Sequence, residues 1–390
     1  MQSEFDYIVL GCGGIGSAAV YWLARRAGAQ VLGLEQFKLG HERGGSQDFS
    51  RIIRLAYHHE HYTRLLPHAY AAWQALEDDS TLKLLYPCGE LEMAFAHGPQ
   101  QGRIQEYAEA MDAVGIPYER LDGAEVMRRY PQFRFDSEVD ALWQADTAII
   151  EAARANAAHV ALARFYGATV LDECGVQAVR PVDGGVLLDT TCGTFRCRRL
   201  VVTVGSWTDK LLARLGHNLG LTVTQEQVTY FATPNVRDFV IGKFPFFTWH
   251  GAEMLYALPI CGVVATKIGI DAAGPVVTAD SRTFEPDPAR EARVRDFLQE
   301  HVPGFLGPIV LTKTCLYDMP RDRNLVIDSL PGLPQILVCC GAGHGFKFAG
   351  VLGQALSELA IDGGTDYPIG PFTMRRPAIS DPGYPKEFQL

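Results

Sequence analysis

The sequence lacks several features that would assign it at once to a class of protein. It has no run of about 18 consecutive apolar residues, so no membrane-spanning helix is expected. Its N-terminal apolar run is cut by glycines and has no basic flank, so no signal peptide is expected. Its 35 Lys and Arg residues are outnumbered by 45 Asp and Glu and form no basic block, so nucleic acid is not an expected partner.

The nine cysteines contain no C-x-x-C pair, which removes the usual redox and zinc motifs. We expect reduced thiols, most of them small buried hydrophobes, in a cytoplasmic protein. A nucleophilic serine elbow, a P-loop and an H-E-x-x-H zinc site are also missing. The cluster His58-His-Glu-His61 has no distant partner set, so we expect a polar helix start there and no metal site.

The most informative segment that is present lies near the N-terminus. The apolar run Tyr7-Ile-Val-Leu10 leads into Gly11-Cys-Gly-Gly-Ile-Gly16, a helical pattern follows, and a second apolar strand ends on Glu35. This is the G-x-G-x-x-G fingerprint of dinucleotide binding. The first glycine permits a tight turn, the second lets backbone N–H groups approach a pyrophosphate, and the third lets the helix pack closely. The acid accepts hydrogen bonds from ribose hydroxyls.

Later segments extend this unit. Leu200–Val204 and Ile336–Cys340 are continuous apolar strands followed by glycine, as in a buried parallel sheet. Apolar spacing predicts helices over residues 60–76, 100–113, 151–166 and 350–361. At 390 residues, two domains are expected. The fold class is therefore α/β, a Rossmann-like FAD-binding domain (1–82, 146–215 and 320–390) with an inserted strand-rich substrate domain (83–145 and 216–319). Such a segmented nucleotide domain is typical of flavoproteins.

Several motifs occur together in one order along the chain. They are Gly11-x-Gly-x-x-Gly16 with Glu35, Ser50-Arg-Ile-Ile-Arg54-x-Ala-Tyr57, Thr203-Val-Gly-Ser-Trp207, Tyr256-x-x-Pro259, Lys267-x-Gly269, Cys315-Leu-Tyr317, Ile327-Asp328 and Gly343-His-Gly-Phe-Lys-Phe348. With them the sequence resembles the monomeric sarcosine oxidase and N-methyltryptophan oxidase family of flavin amine oxidases, over nearly its whole length. The R-x-x-R, C-x-Y and H-G-F-K-F elements are far more specific than the glycine fingerprint.

The resemblance implies FAD bound covalently through the sulfur of Cys315. A thiolate is nucleophilic enough to attack the activated methyl group of an oxidised flavin. His344 is expected beside the cofactor and not as an acid–base group. The residues implied to bind the cofactor are Gly11, Gly13, Gly14, Ile15, Gly16, Glu35, Gln36, Ser50, Arg51, Gly205, Trp207, Cys315, Gly343, His344, Gly345, Phe346 and Lys347.

The resemblance also implies four functional cations. Arg54 and Lys347 would hold the substrate carboxylate, because a guanidinium group matches it with two hydrogen bonds and an ammonium group adds charge. Arg51 and Lys267 would stand against the two faces of the flavin ring. Lys267 would promote the reaction with O2 by stabilising the negative charge that develops on oxygen.

The resemblance implies that Tyr256 and Tyr317 line the substrate pocket and that Tyr317 is also catalytic. A purely structural role in the core remains an alternative for both. The sequence departs from the family at three places. Asp271 stands where sarcosine oxidases have histidine, Asp318 replaces a threonine or asparagine, and the turn Gly341-Ala-Gly343 is one residue shorter. Extra acid near the pocket, with Asp271 as a substrate contact, would disfavour anionic side chains and favour a second amine.

The expected function is that of an FAD-dependent oxidase of secondary (N-methyl) or cyclic amino acids. A hydride equivalent passes to flavin N5, the imine hydrolyses, and O2 is reduced to H2O2. The expected partners are the small amino acid and O2, with no nucleic acid and no membrane, and the chain is expected to be a monomer. The alternatives are a flavin dehydrogenase with another electron acceptor, an oxidase of a primary or dibasic amino acid, an NAD-dependent dehydrogenase and a non-catalytic flavin-binding protein.

Overall fold

The computed structural model describes residues 2–388. Within that range the helices are α1 (Gly14–Ala27), α2 (Glu60–Ser80), α3 (Arg103–Asp112), α4 (Gly123–Arg129), α5 (Ala152–Phe165), α6 (Thr208–Leu212), α7 (Pro288–His301), α8 (Ala349–Ile361) and α9 (Pro377–Ser380). The strands are β1 (Glu4–Leu10), β2 (Val31–Leu34), β3 (Arg51–Ile53), β4 (Leu85–Pro87), β5 (Glu90–Phe95), β6 (Glu119–Asp122), β7 (Val139–Gln144), β8 (Ala148–Ile150), β9 (Thr169–Leu171), β10 (Val176–Val182), β11 (Gly185–Thr190), β12 (Gly193–Val202), β13 (Thr222–Phe231), β14 (Phe246–His250), β15 (Met254–Leu258), β16 (Thr266–Ile270), β17 (Ile309–Met319), β18 (Val326–Leu330) and β19 (Leu333–Cys340).

The first sheet has a parallel centre. Its order is β10-β11-β12-β1-β2-β9, with β19 beside β12 and β18 beside β19. Strands β2 and β12 run parallel to β1, and β19 runs parallel to β12. The central strands are apolar on both faces because α1, α2, α5 and α8 bury one face and a second apolar cluster buries the other. This confirms the predicted α/β fold and places both later strands in the first sheet.

The second sheet carries most of the remaining strands in the order β17-β13-β16-β15-β14-β5-β7-β6. Only β5 and β14 pair in parallel among these described strands, and the other neighbours are antiparallel. A small sheet, β3-β8-β4, contains strands from both sides of the predicted division. The strands of the two large sheets, however, come from the two predicted sets of segments without mixing. Because of this separation we propose the discontinuous domain boundaries predicted from the sequence.

The histidine cluster is the start of a helix, as predicted. Helix α2 begins at Glu60, and the side chain of His59 caps it by accepting the backbone N–H of His61. All nine cysteines are free thiols. Within residues 2–388, no helix is both long enough and apolar enough to cross a membrane.

Helices α1 and α8 pack so closely that a single methyl group should disturb them. A Cβ atom added at Gly353 in α8 would lie 2.7 Å from the Cβ of Ala18 and 2.6 Å from its carbonyl carbon. Because the backbone cannot move aside easily, we expect Gly353→Ala to lower the free energy of unfolding by about 1–3 kcal/mol in urea denaturation. Gly364→Ala is the control, since nothing lies within 4 Å of a Cβ there. Equal effects of both changes would contradict this packing.

Candidate active site

A cavity of about 550 Å³ lies between the two large sheets. It is bounded by the carboxyl ends of β1, β2, β12 and β19 on one side and by β13 to β17 on the other. The predicted site residues that line it are Gly11, Gly13, Gly14, Ile15, Glu35, Gln36, Arg51, Arg54, Gly205, Trp207, Tyr256, Lys267, Asp271, Cys315, Tyr317, Gly343, His344, Gly345, Phe346 and Lys347. Two predicted cofactor residues, Gly16 and Ser50, are not among the residues that line the cavity.

The glycine turn presents the start of α1 to the cavity. Gly11 has a φ of +83°, and a Cβ added at Gly16 would lie 1.7 Å from the carbonyl oxygen of Gly11, so both positions need glycine. The first turn of α1 has no acidic residue and no side-chain cap at Gly13. The backbone N–H of Gly14 bonds Ser46 Oγ at 2.8 Å. The positive end of the helix dipole is therefore available to a phosphate group.

Glu35 is buried at the end of β2 and held in one orientation. Its carboxylate accepts the backbone N–H groups of Cys12 at 2.9 Å and Phe37 at 3.0 Å. His41 Nε2 lies 3.2 Å from the same carboxylate. An acid fixed in this way at a cavity wall is suited to accept hydrogen bonds from ribose hydroxyls.

A buried carboxylate, Asp48, joins the two predicted flavin-facing cations. Lys267 Nζ and Arg51 Nη1 each lie 2.6 Å from Asp48 Oδ2. Tyr230 donates to Asp48 Oδ1 at 2.7 Å, and the carbonyl oxygen of Ser50 accepts from Lys267 at 2.8 Å. Arg51 and Lys267 were expected on opposite faces of a ring, but the structure brings both to one oxygen. Sequence reasoning missed Asp48, whose only signal was its place three residues before Arg51.

Burial and ion pairing act in opposite directions on this cluster. Burial lowers the pKa of Lys267 to about 8, although the charge of Asp48 opposes that shift. Burial alone would raise the pKa of Asp48, but Lys267 and then Arg51 hold it below its usual range. Lys267 thus changes charge near neutral pH, whereas Asp48 remains ionised.

Cys315 lies on β17, beside this cluster, and is half-buried. Burial raises the pKa of its thiol, and Arg51 opposes the shift. The next residue, Leu316, donates its backbone N–H to Gly44 at 3.3 Å, which ties β17 to the glycine-rich segment after β2. The sulfur of Cys315 therefore lines the cavity at a fixed position.

The predicted carboxylate-binding cations meet around Tyr57. The guanidinium carbon of Arg54 lies 4.8 Å from the centre of the Tyr57 ring, and Lys347 Nζ lies 2.9 Å from its hydroxyl oxygen. The Tyr57 hydroxyl group donates to His344 Nδ1 at 2.9 Å, and His344 Nε2–H donates to the carbonyl oxygen of Arg323 at 3.1 Å. Burial lowers the pKa of His344 well below its usual range, and the charge of Lys347 lowers it further. Both effects favour a neutral ring beside the cavity.

Arg54 is bound by two buried glutamates that sequence reasoning missed. Its Nη1 lies 3.0 Å from Glu90 Oε1 and also donates to Glu92. His250 Nε2 lies 2.6 Å from the other oxygen of Glu92, and burial lowers the pKa of His250 to about 3, so the ring is neutral. Burial and the adjacent Glu92 raise the pKa of Glu90 well above its usual range. Glu90 and Glu92 alternate with apolar residues on β5, a pattern that predicts an ordinary strand and gives no sign of a site.

The aromatic and acidic residues take definite positions at the same end. Tyr256 lies over Gly269, where an added Cβ would be 2.8 Å from its hydroxyl oxygen. Asp271 forms a two-point ion pair with Arg323, a second residue that sequence reasoning missed. The expected excess of negative charge at Asp271 is therefore balanced within the protein. Asp318 is also buried, and burial raises its pKa.

Comparison with known proteins points in one direction. A family model described as FAD dependent oxidoreductase matches residues 6–359. The monomeric sarcosine oxidase of Streptomyces avermitilis is 31% identical over 389 residues, which cover 97% of this chain and 100% of that protein. The N-methyl-L-tryptophan oxidase of Escherichia coli O127:H6 is 30% identical, with coverage of 96% and 99%. A solved structure of NikD, described as an unusual amino acid oxidase essential for nikkomycin biosynthesis, has a TM-score of 0.85 at 26% identity, covering 100% and 99%.

Loss of the Asp48 charge should be costly because it leaves two buried cations without their shared partner. We expect Asp48→Asn to lower the free energy of unfolding by about 3–5 kcal/mol. Asp280→Asn is the matched control, since Asp280 forms an exposed pair with Lys210, and its effect should stay below about 1 kcal/mol. Urea unfolding of both variants beside the parent protein measures the difference. An Asp48→Asn protein as stable as the control would show that the cluster does not need its carboxylate.

Proposed function

The chain belongs to the FAD dependent oxidoreductase family, and we propose that it is an oxidase of secondary (N-methyl) or cyclic amino acids that produces H2O2. One observation carries the proposal. A single cavity runs from the glycine turn and Glu35, past Cys315 and Lys267, to Arg54 and Lys347. It therefore offers a nucleotide end, a nucleophilic sulfur and an anion-binding end. The relatives named for sarcosine and N-methyltryptophan oxidation are consistent with a small amino acid as substrate.

The residues present fit FAD. The open N-terminus of α1 is placed for a pyrophosphate, and Glu35 is placed for a ribose. Cys315 would form the covalent link, since its sulfur lines the cavity and the charge of nearby Arg51 opposes the rise in its pKa that burial causes. When bound, FAD supplies the redox chemistry, accepting two electrons from the carbon beside the amine and passing them to O2.

The protein's own part is to hold the substrate and balance charge. Lys347 is buried and has no carboxylate partner among residues 2–388, so it is the cation most available to a substrate carboxylate. Arg54 adds positive charge at the same place, but Glu90 and Glu92 already engage its Nη1. Tyr256 and Tyr317 would form the apolar wall beside the reacting carbon. The pairing of Asp271 with Arg323 leaves no net charge there, which favours a neutral side chain over a dibasic one.

We also propose that the protein is a cytoplasmic monomer. The nine free cysteines support a reducing compartment, and one group of relatives is named monomeric sarcosine oxidase. Analytical ultracentrifugation would reveal any larger assembly.

The proposal is tested by mixing the purified yellow protein anaerobically with N-methyl, cyclic and primary amino acids. We expect N-methyl or cyclic amino acids to bleach the visible absorbance and to release H2O2 when air is admitted. Bleaching without peroxide would identify a dehydrogenase that uses another acceptor. A colourless protein would favour an NAD-dependent enzyme. No bleaching by any amino acid would favour a binding protein, and preferential bleaching by primary or dibasic amino acids would replace the proposed substrate class.

Removal of the Cys315 sulfur should release the cofactor from the chain on denaturation. We expect the parent protein and the control Cys261→Ala, another partly buried cysteine, to keep their yellow colour in the acid precipitate. Cys315→Ala should instead leave the colour in the supernatant. The absorbance of both fractions is the measurement. Colour retained in the Cys315→Ala pellet would place the attachment elsewhere.

The charge of Lys267 should govern the reaction with O2. Since its pKa is lowered to about 8, the cation is present below that pH and is lost above it. We expect the rate constant for reoxidation by O2 to fall as the pH rises through about 8. Lys267→Met should reduce that rate constant about 100-fold or more and remove the pH dependence. Stopped-flow measurement of both half-reactions checks this, and an equal loss in amine oxidation would refute the assigned role.

A further inference from the structure

Two cysteines meet at the nucleotide end of the cavity. Cys174 lies two residues before β10 and lines the cavity. Cys192 belongs to the two-residue turn, Thr191-Cys192, that joins β11 to β12. The backbone N–H of Thr191 donates to the carbonyl oxygen of Gly175 at 2.9 Å. The tip of the hairpin is thereby held against the segment that carries Cys174.

The two side chains converge on one hydroxyl group. The Cys174 thiol donates to Thr190 Oγ1 at 3.3 Å, and the backbone N–H of Cys192 donates to the same oxygen at 3.0 Å. The Cys192 side chain is also one of the groups that raise the pKa of the Cys174 thiol. Cys174 is buried, whereas Cys192 is exposed to solvent. One thiol of the pair is open to a dissolved oxidant and the other is beside it.

We propose that Cys174 and Cys192 form a peroxide-sensitive pair that closes reversibly into a disulfide. The Cys192 thiolate attacks one oxygen of H2O2, so an S–O bond forms, the O–O bond breaks and one water leaves after protonation. The sulfur of Cys174 then attacks the sulfur of Cys192, so the S–S bond forms, the S–O bond breaks and a second water leaves. Two thiols are oxidised and one H2O2 is reduced to two waters. A dithiol reductant reverses the change.

The surroundings assign the two roles. Burial raises the pKa of Cys174 to about 11, so this thiol is mostly protonated at neutral pH and is a poor first nucleophile. Exposed Cys192 meets the oxidant first, and Cys174 resolves the sulfenic acid. Because the second step needs the Cys174 thiolate, closure should become faster as the pH rises toward 11.

The source of the oxidant rests on the proposed function, in which H2O2 is the product. The backbone N–H of Cys174 donates to the carbonyl oxygen of Glu35 at 2.8 Å. A disulfide would therefore tie the hairpin tip to the backbone that supports the proposed ribose-binding acid. The two thiols at the nucleotide end of the cavity would therefore become oxidised as the enzyme turns over.

The test uses the purified holoprotein and added H2O2. Trypsin releases residues 165–196 as one peptide containing both cysteines, because Pro181 follows Arg180 and blocks cleavage there. After alkylation of free thiols, the untreated peptide should carry two alkyl groups. After peroxide treatment it should carry none and should have lost the mass of two hydrogen atoms. Dithiothreitol should restore both alkylation sites.

Variants separate the pair from general oxidation. Cys192→Ser should prevent the mass loss and leave Cys174 alkylatable, whereas Cys261→Ser should close the pair as the parent does. The proposal is overturned if the peptide keeps both alkyl groups, if Cys192 only gains oxygen without a link, or if Cys174 joins a different cysteine.

A second experiment replaces added peroxide with an amino acid substrate in air, with released H2O2 measured in the same sample. If the disulfide forms while H2O2 is released, and does not form when catalase is present, the enzyme's own product is supported as the oxidant. Release without closure overturns that source and leaves the proposed function intact. No release from any amino acid contradicts the proposed function, while the result with added peroxide still decides the pair.

Discussion

The gathering of five cations around one cavity is the constraint on which the rest of the site depends. They are the buried Arg54, Lys267, Arg323 and Lys347 and the partly buried Arg51, and all except Arg323 line the cavity. An isolated charge removed from water is costly, so it requires an internal counter-charge or loses its proton. Asp48 lies against two of the cations, Glu92 supplies the counter-charge for a third with Glu90 beside it, and Asp271 supplies it for a fourth. Asp271, an acid that looks excessive in the sequence, is thus the partner of one of these cations.

This pairing also joins the parts of the fold. Asp48 comes from the connection between β2 and β3, while Lys267 lies on β16 of the second sheet, so their ion pair ties that connection to the second sheet. The Arg54 pairs in the same way connect the segment after β3 to β5. The same contacts thus build the pocket and offset part of its positive charge. Each contact fixes a side chain, and Asp48 brings one negative charge to two cations.

Local pattern predicted the framework of the molecule but not these partners. The glycine turn, the apolar strands ending in glycine and most long helices follow from periodicity within one segment. Helix α7 was missed because charged residues dominate it and only Val294 and Leu298 carry much of its buried apolar surface. The carboxylate of Asp271 pairs with Arg323, which lies 52 positions later in the numbering, and such a pairing leaves no local period in the sequence. Motif resemblance identified four of the five cations, all except Arg323, because it matched positions, but it carried no information on the acids that pair with them.

Lys347 is the cation for which none of these acids is a partner. Burial lowers the pKa of Lys347 well below its usual range, and the nearby charge of Arg54 lowers it further. The amine of Lys347 donates hydrogen bonds to the Tyr57 hydroxyl group and to the His344 carbonyl oxygen. An ammonium group in that position lacks the carboxylate that the other four cations have within the described chain. In the proposed function the substrate supplies it, so binding of the substrate carboxylate favours the protonated lysine and is coupled to proton uptake. A lysine that gains its counter-charge only from the substrate carboxylate is then the property that selects an amino acid over a simple amine.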